Sequence, residues 1–218
     1  MRNNSIPIST WVTFMIITSF AAFAFYLAAA FLTLPDKISL VLAFIFGPLF
    51  MLSSLGLFQI IRQWKDSLVL RSGVLFNITA TGFVTMMLVV QQTIFAFHDK
   101  FKAQPHEGVS DEQLMWMFRE VNSVQLGIDL AWDIFISLGT FLFALSFWGH
   151  PVLKKILSAS GMIVAALLLV FNLAFFPEPP GEVGAIDFGP FVALWYLILT
   201  IWILVGKKKI SGSRMFEE

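Results

Sequence analysis

Six long apolar stretches constrain the fold of this chain more than any other feature of its sequence. Each is close to the ~20 residues that a helix needs to cross a bilayer. Only helices and closed barrels satisfy all their backbone groups in lipid. The sequence therefore predicts an all-α fold, in which residues 1–218 form a single integral membrane domain, a six-helix bundle. The expected helices lie roughly at 9–34, 38–62, 73–98, 122–149, 153–176 and 189–206.

Composition narrows the class of protein and of partner. Charged residues make up 13% of the chain, against about 25% in a typical soluble domain. A formal net charge of zero, with no basic run interleaved with aromatic residues, argues against a nucleic-acid partner. The chain has no cysteine, which excludes disulfides, thiolate metal ligands and cysteine nucleophiles. The first apolar stretch, at about 25 residues, is too long for a signal-peptide core, so we expect a retained helix.

Lysines and arginines are distributed unevenly between the two sides that six helices define. Four belong to one side: Lys37, Lys100, Lys102 and Arg119. Ten belong to the other side, which has both termini: Arg2, Arg62, Lys65, Arg71, Lys154, Lys155, Lys207, Lys208, Lys209 and Arg214. The positive-inside rule therefore predicts that both termini are cytoplasmic, in a membrane such as the bacterial inner membrane.

The opposite side carries many acidic residues. They are Asp36, Asp99, Glu107, Asp111, Glu112, Glu120, Glu178, Glu182 and Asp187. The positive-inside rule does not require this excess, so it indicates either an outer mouth that attracts cations or a solvated acidic surface.

A helix start is encoded between the third and fourth apolar stretches. Ser110-Asp111-Glu112-Gln113 matches a capping box with Ser110 as N-cap, and Trp116 follows in a largely apolar run. The pattern predicts an interfacial helix at about 111–121. It either stands alone or runs straight into the fourth membrane helix.

A polar stripe follows one face of that fourth helix, at helical spacing within an otherwise apolar segment. Its members are Asn122, Gln125, Asp129, Asp133, Ser137 and Thr140. Asp129 and Asp133, one turn apart, are costly inside a membrane and there mark a bundle interior, a wet cavity or a function. No lysine or arginine lies mid-span to neutralise them, so we expect the pair to hold a proton or a bound cation.

Counting inward from the outer helix ends places further polar side chains near the depth of Asp129. The predicted ligand-binding set is Asp129, Asp133, Gln125, Gln91, Gln92, Tyr26, Tyr196 and Asn172. Tyr26 and Tyr196 are the only tyrosines, beside 25 phenylalanines, and a phenol can donate to a carboxylate where a phenylalanine cannot. The alternative is that these groups are interhelical hydrogen-bonding glue, as polar residues in membrane helices often are.

Motifs for enzyme chemistry are mostly absent, so no catalytic residue is assigned and whether the protein is an enzyme stays open. His98, Asp99, His106 and Glu107 lack a recognisable ligand spacing, and no metal site or cofactor is predicted. The leading hypothesis is binding or transport of a small cationic or amphipathic molecule, and coupling to protons is an option within it. The alternatives are a membrane-embedded enzyme that uses the carboxylate pair on a lipid-like substrate, and a structural or assembly protein. Partners are membrane lipids and a small-molecule or cation ligand; the oligomeric state stays open.

The C-terminal half resembles a known class of membrane protein. The resemblance rests on Gln125 to Phe135 (QLGIDLAWDIF), on Phe175-Phe176-Pro177 and on Asp187-Phe188-Gly189-Pro190. These segments are similar to bacterial six-helix integral membrane proteins classed as a domain of unknown function. The resemblance implies an all-helical membrane fold and no catalytic residue.

Overall fold

The computed structural model describes residues 6–103 and 108–212, apart from the side chains of Ala30 and Asp36. Over these residues the protein has no strand, and six helices are each long and apolar enough to cross a membrane. They are α1 (Ile8–Phe31), α2 (Asp36–Trp64), α3 (Leu68–Lys102), α4 (Asp111–Ser146), α5 (Lys155–Phe175) and α6 (Gly189–Gly212). The predicted all-α six-helix bundle is confirmed. Arg2, His106, Glu107 and Arg214 lie outside the described residues.

The two ends of the bundle differ in the helices that reach them. We call the end where α1 begins and α6 ends the terminal end, and the opposite end the far end. Helices α3 and α4 have 35 and 36 residues, about 50 Å at 1.5 Å per residue, whereas α5 has 21 residues. Since an apolar bilayer core is about 30 Å thick, α3 and α4 are longer than crossing requires.

The helix predicted at about 111–121 is not a separate element, because α4 runs without a break from Asp111 to Ser146. Its capping box is as the sequence predicted. The Gln113 backbone N–H donates to the Ser110 hydroxyl at 3.2 Å, and the Ser110 N–H donates to the Gln113 side chain at 2.9 Å. No proline follows Val121 to interrupt the helix, so the segment continues into the membrane helix.

Glycines allow close contacts between helices of the bundle. A Cβ on Gly139 of α4 would lie 2.7 Å from Nδ2 of Asn77 on α3, and one on Gly56 of α2 would lie 2.7 Å from Cβ of Met15 on α1. Real Cβ atoms are not found at such distances, so these residues must be small for the backbones to approach. Helix α3 is thereby held against α4 in the centre of the bundle.

Tryptophan side chains of α6 bond to α5 and to the connection that precedes it. The indole N–H of Trp195 donates to the Leu157 carbonyl at 2.9 Å, and that of Trp202 donates to the Val152 carbonyl at 2.8 Å. Both indoles thus satisfy a polar group inside an apolar setting. These bonds fix the position of α6, which carries Tyr196.

Candidate functional site

A cleft of about 300 Å³ opens at the far end between α4 and the end of α5. The connection that follows α5 forms part of its wall. Its lining residues are Ser123, Leu126, Gly127, Asp129, Leu130, Asn172, Phe176, Pro177, Glu178 and Pro179. The volume is at the lower limit of small-molecule sites, and the mixture of apolar walls with a few polar groups is typical of them.

Acidic side chains gather at this cleft. Asp129 and Glu178 line it, and Asp133 lies one turn along α4 from Asp129, where it is only 8% exposed. Asp187 interacts electrostatically with both α4 aspartates. It also accepts a 2.8 Å hydrogen bond from the Gly189 N–H at the start of α6. The site therefore concentrates negative charge around a small space.

The two α4 aspartates have no compensating partner among the residues that the structure describes. Among residues 6–103 and 108–212, neither a hydrogen bond nor a salt bridge reaches the carboxylate of Asp129 or Asp133. Buried charges are normally paired or coordinate an ion, because burial of an unpaired charge is costly. A proton or a cation from outside the chain would remove this cost.

Buried polar atoms without a partner also occur on α4, in residues that lie near Asp133 along the helix. Three such side-chain atoms occur in the described part of the chain, and two of them flank Asp133: Nε1 of Trp132 and Oγ of Ser137. Ser137 lies one turn from Asp133 on the polar face of α4. Since at least nine in ten buried polar groups are satisfied in folded proteins, these atoms indicate a place where water or a ligand supplies the missing hydrogen bonds.

Three of the other predicted residues lie close to the aspartates. Asn172 lines the cleft and donates to the Leu168 carbonyl at 3.0 Å. Gln125 is buried one turn from Asp129 on the same helix face. Tyr26 is 43% exposed, and it interacts electrostatically with Asp129.

The predicted residues on α3 are less closely engaged. Gln91 and Gln92 are both half-buried. Within the described residues neither side chain forms a hydrogen bond with the aspartates. Their assignment to the ligand-binding set stays a prediction.

Tyr196 belongs to a different group of polar side chains, which we call the core network: Ser54, Asn77, Thr140 and Tyr196. Its hydroxyl accepts a hydrogen bond from Nδ2 of Asn77 at 2.7 Å and shares one with Thr140 at 3.0 Å. Asn77 Oδ1 in turn accepts from the Ser54 hydroxyl at 3.3 Å. This network joins α2, α3, α4 and α6 in the buried centre of the bundle.

The polar groups therefore occupy two levels instead of the single layer expected from the sequence. Thr140 lies seven residues beyond Asp133 on α4, which is about 10 Å along the helix axis. Tyr196 shares this deeper level because it bonds to Thr140. The level nearer the far end contains the acidic cleft, and the deeper level is the core network, whose side chains bond to one another.

Sequence reasoning gave no site role to Glu178, Asp187 or Asn77. From the sequence, Glu178 and Asp187 are only two acids of an outer connection, and the fold of that connection brings them to α4. Asn77 carried a usable signal, since it is a lone amide in the middle of an apolar stretch.

His98, the described histidine of the far end, does not join this site. The ring of His98 packs against Phe118, with 4.3 Å between the ring centroids. In the described chain no group of three or more histidine or acidic side chains is arranged to hold a metal ion.

Protein-family models, curated protein sequences and solved structures were each compared with the chain, and none of them matches it. The resemblance to six-helix bacterial membrane proteins therefore stays a prediction. The chemistry of the site rests on the geometry of this chain.

Proposed function

We propose that the protein binds or transports a small cationic or amphipathic molecule at the far-end cleft. The observation that carries the proposal is the pair of carboxylates, Asp129 and Glu178, in the wall of a cleft of about 300 Å³. Asp133 and Asp187 add negative charge, and the described lining of the cleft includes no basic side chain. A cation is the ligand that this field favours.

The apolar walls support a ligand with a hydrocarbon part. Leu126, Leu130 and Phe176 line the same cleft as the carboxylates. A short alkylammonium ion would place its charge beside Asp129 and its carbon atoms against these side chains. Such a ligand buries apolar surface, which contributes about 25 cal/mol per Å².

Coupling to protons is supported by the absence of a compensating partner for Asp129 and Asp133 among the described residues. Without a ligand, the state of lowest free energy for the half-buried Asp129 and the buried Asp133 includes a proton. An arriving cation would displace that proton, because the pair then balances its charge with the ligand. Proton coupling is thus part of the proposal.

The proposed setting is the bacterial inner membrane, with the far end outside and both termini in the cytoplasm. Its support is the charge bias of the sequence, which places most lysines and arginines at the terminal end. Because the chain has no cysteine, single-cysteine variants report on topology. We expect an impermeant maleimide to label Glu182→Cys but not Lys154→Cys in intact cells, and the reverse pattern would overturn the orientation.

The binding proposal is tested by calorimetric titration of the purified protein with methylammonium, tetramethylammonium and butylammonium chloride. Asp129→Asn is expected to weaken binding of the best probe by at least about tenfold, the usual effect of losing a charge-assisted contact. The matched control is Asp99→Asn, which removes an exposed acid outside the cleft. Equal weakening by both variants, or no weakening by Asp129→Asn, would contradict the proposal.

The two alternative functions make different demands on the same residues. An enzyme acting on a lipid-like substrate would use Asp129 and Asp133 as acid and base, so Asp133→Asn would abolish turnover of that substrate. A structural or assembly role requires a partner helix, so in that case binding of small ammonium ions would be absent in every variant.

A further inference from the structure

A second cleft, of about 470 Å³, lies at the terminal end between the start of α1 and the end of α2. It is separate from the acidic cleft, which lies at the far end. Its lining residues are Ile6, Trp11, Gln59, Arg62, Gln63 and Asp66. Unlike the first cleft, it has one basic side chain, one acidic side chain and two amides.

The negative charge of the acid in this cleft, Asp66, is already balanced by Arg71. The Arg71 guanidinium grips Asp66 with a fork, in which Nε donates at 2.9 Å and Nη2 at 2.6 Å. These bonds hold the pKa of the Asp66 carboxyl below its usual range, so the group stays charged and bonded to Arg71. Arg62 makes only a longer contact with Asp66, 3.4 Å from its Nε.

Hydrogen-bond donors are therefore left over. The terminal nitrogens of Arg62 and the amides of Gln59 and Gln63 have no hydrogen-bond partner among the described residues. The Arg62 guanidinium also lies over the Phe58 ring, 5.9 Å from its centroid. The Arg62 side chain is 47% exposed. Two guanidinium groups and one carboxylate leave one positive charge unbalanced beside the cleft. Guanidinium and amide donors around a positive charge are suited to a phosphate group.

The position of the cleft decides which phosphate is within reach. It lies at the ends of two membrane-spanning helices, where headgroups are found. Trp11 stands in the first turn of α1, and tryptophan is enriched at this level of a bilayer. Ile6, just before α1, and Ile17 within it are exposed, so an acyl chain could lie against this helix below the cleft.

We propose that this cleft binds the phosphate of a membrane phospholipid, with Arg62 as its main ligand and the amides of Gln59 and Gln63 as further donors. Basic pockets between membrane helices are established sites for anionic headgroups. The site would anchor one lipid between α1 and α2 at the terminal end.

Native mass spectrometry of the detergent-purified protein tests this directly. The protein is titrated with dioleoylphosphatidylglycerol, and with dioleoylglycerol, which has the same chains but no phosphate. We expect one tightly bound phosphatidylglycerol, with affinity reduced at least about tenfold in Arg62→Gln. The matched control, Lys65→Gln, removes a neighbouring exposed charge outside the cleft and should change affinity less than about twofold.

Several outcomes would overturn the proposal. Equal losses in Arg62→Gln and Lys65→Gln would show general surface attraction, and tight binding of dioleoylglycerol would remove the role of phosphate. If glycerol phosphate displaced the lipid and bound with the same affinity, the cleft would be a site for a soluble phosphate ester instead. If Arg62→Gln fails to fold, Gln63→Leu provides the test, because it deletes a donor without changing charge. It should then weaken lipid binding by about threefold, and unchanged affinity would refute the site.

Discussion

Substitution of Tyr196 by phenylalanine tests whether the core network stabilises the bundle. The hydroxyl of Tyr196 is buried, with 3% of the residue exposed, and it bonds to Asn77 and Thr140. Its ring packs edge-on against Phe50 at 4.9 Å between centroids. Tyr196→Phe keeps that packing and removes only the oxygen, so the change isolates the hydrogen bonds.

The expected loss follows from the number of bonds broken. Hydrogen bonds between membrane helices contribute about 0.6 kcal/mol on average and about 1.7 kcal/mol at most. Two are lost here, and Nδ2 of Asn77 is left buried without an acceptor. An unsatisfied buried donor costs about 1–3 kcal/mol. We therefore expect Tyr196→Phe to lower the free energy of unfolding by about 1–3 kcal/mol.

Unfolding by sodium dodecyl sulfate in mixed micelles, followed by circular dichroism, measures this loss. The other tyrosine supplies the control, because Tyr26 is substantially exposed and its hydroxyl makes no hydrogen bond within the described residues. Tyr26→Phe should change the free energy of unfolding by less than about 0.5 kcal/mol. A double-mutant cycle with Thr140→Val should give a coupling of about 0.5–1.5 kcal/mol. Equal effects of the two tyrosine substitutions, or no coupling to Thr140, would refute the network's role.

Two further predictions concern packing and pH. Gly139→Ala should destabilise the protein by about 1–3 kcal/mol, because the added Cβ would clash with α3. Gly127→Ala on the same helix places its Cβ in open space and should not destabilise the protein. Equal effects of the two substitutions in thermal unfolding would contradict this prediction. Burial lowers the pKa of His150 to about 4, below its unfolded value of about 6.5. The contribution of neutral His150 to the free energy of unfolding is therefore complete above pH 6.5 and is lost as pH falls toward 4. Between pH 7 and pH 5 the loss is about 2 kcal/mol. The His150→Gln variant should lack this loss, and an identical pH profile for both proteins would contradict it.

The number and type of helices were predictable because the bilayer allows few alternatives for long apolar runs. The lengths of α3 and α4 were not. The expected third helix, 73–98, was extended to Leu68–Lys102, because a helix continues into polar residues where hydropathy no longer marks it. The capping box at Ser110 did mark the start of α4 correctly.

The face of α4 that carries Asp129 and Asp133 was also predictable, because helical spacing alone groups those residues. The relative depth of residues on different helices was not predictable. Counting from helix ends treats all the ends as level, but α4 is 36 residues long and α6 is 24. Tyr196 therefore pairs with Thr140 and not with the aspartates. Register between helices depends on side-chain packing, which a single sequence does not show.

Calorimetric titration with the best-binding small ammonium ion, in two buffers with different ionisation enthalpies, tests the central claim most directly. It measures both the affinity and the number of protons released. At pH 7 we predict release of a substantial fraction of one proton for each cation bound, because ligand and proton compete for the same carboxylates. Asp129→Asn should reduce both quantities, while Asp99→Asn should leave them unchanged. Binding heats that do not depend on the buffer, or wild-type behaviour of Asp129→Asn, would contradict the proposed exchange of a proton for a cation.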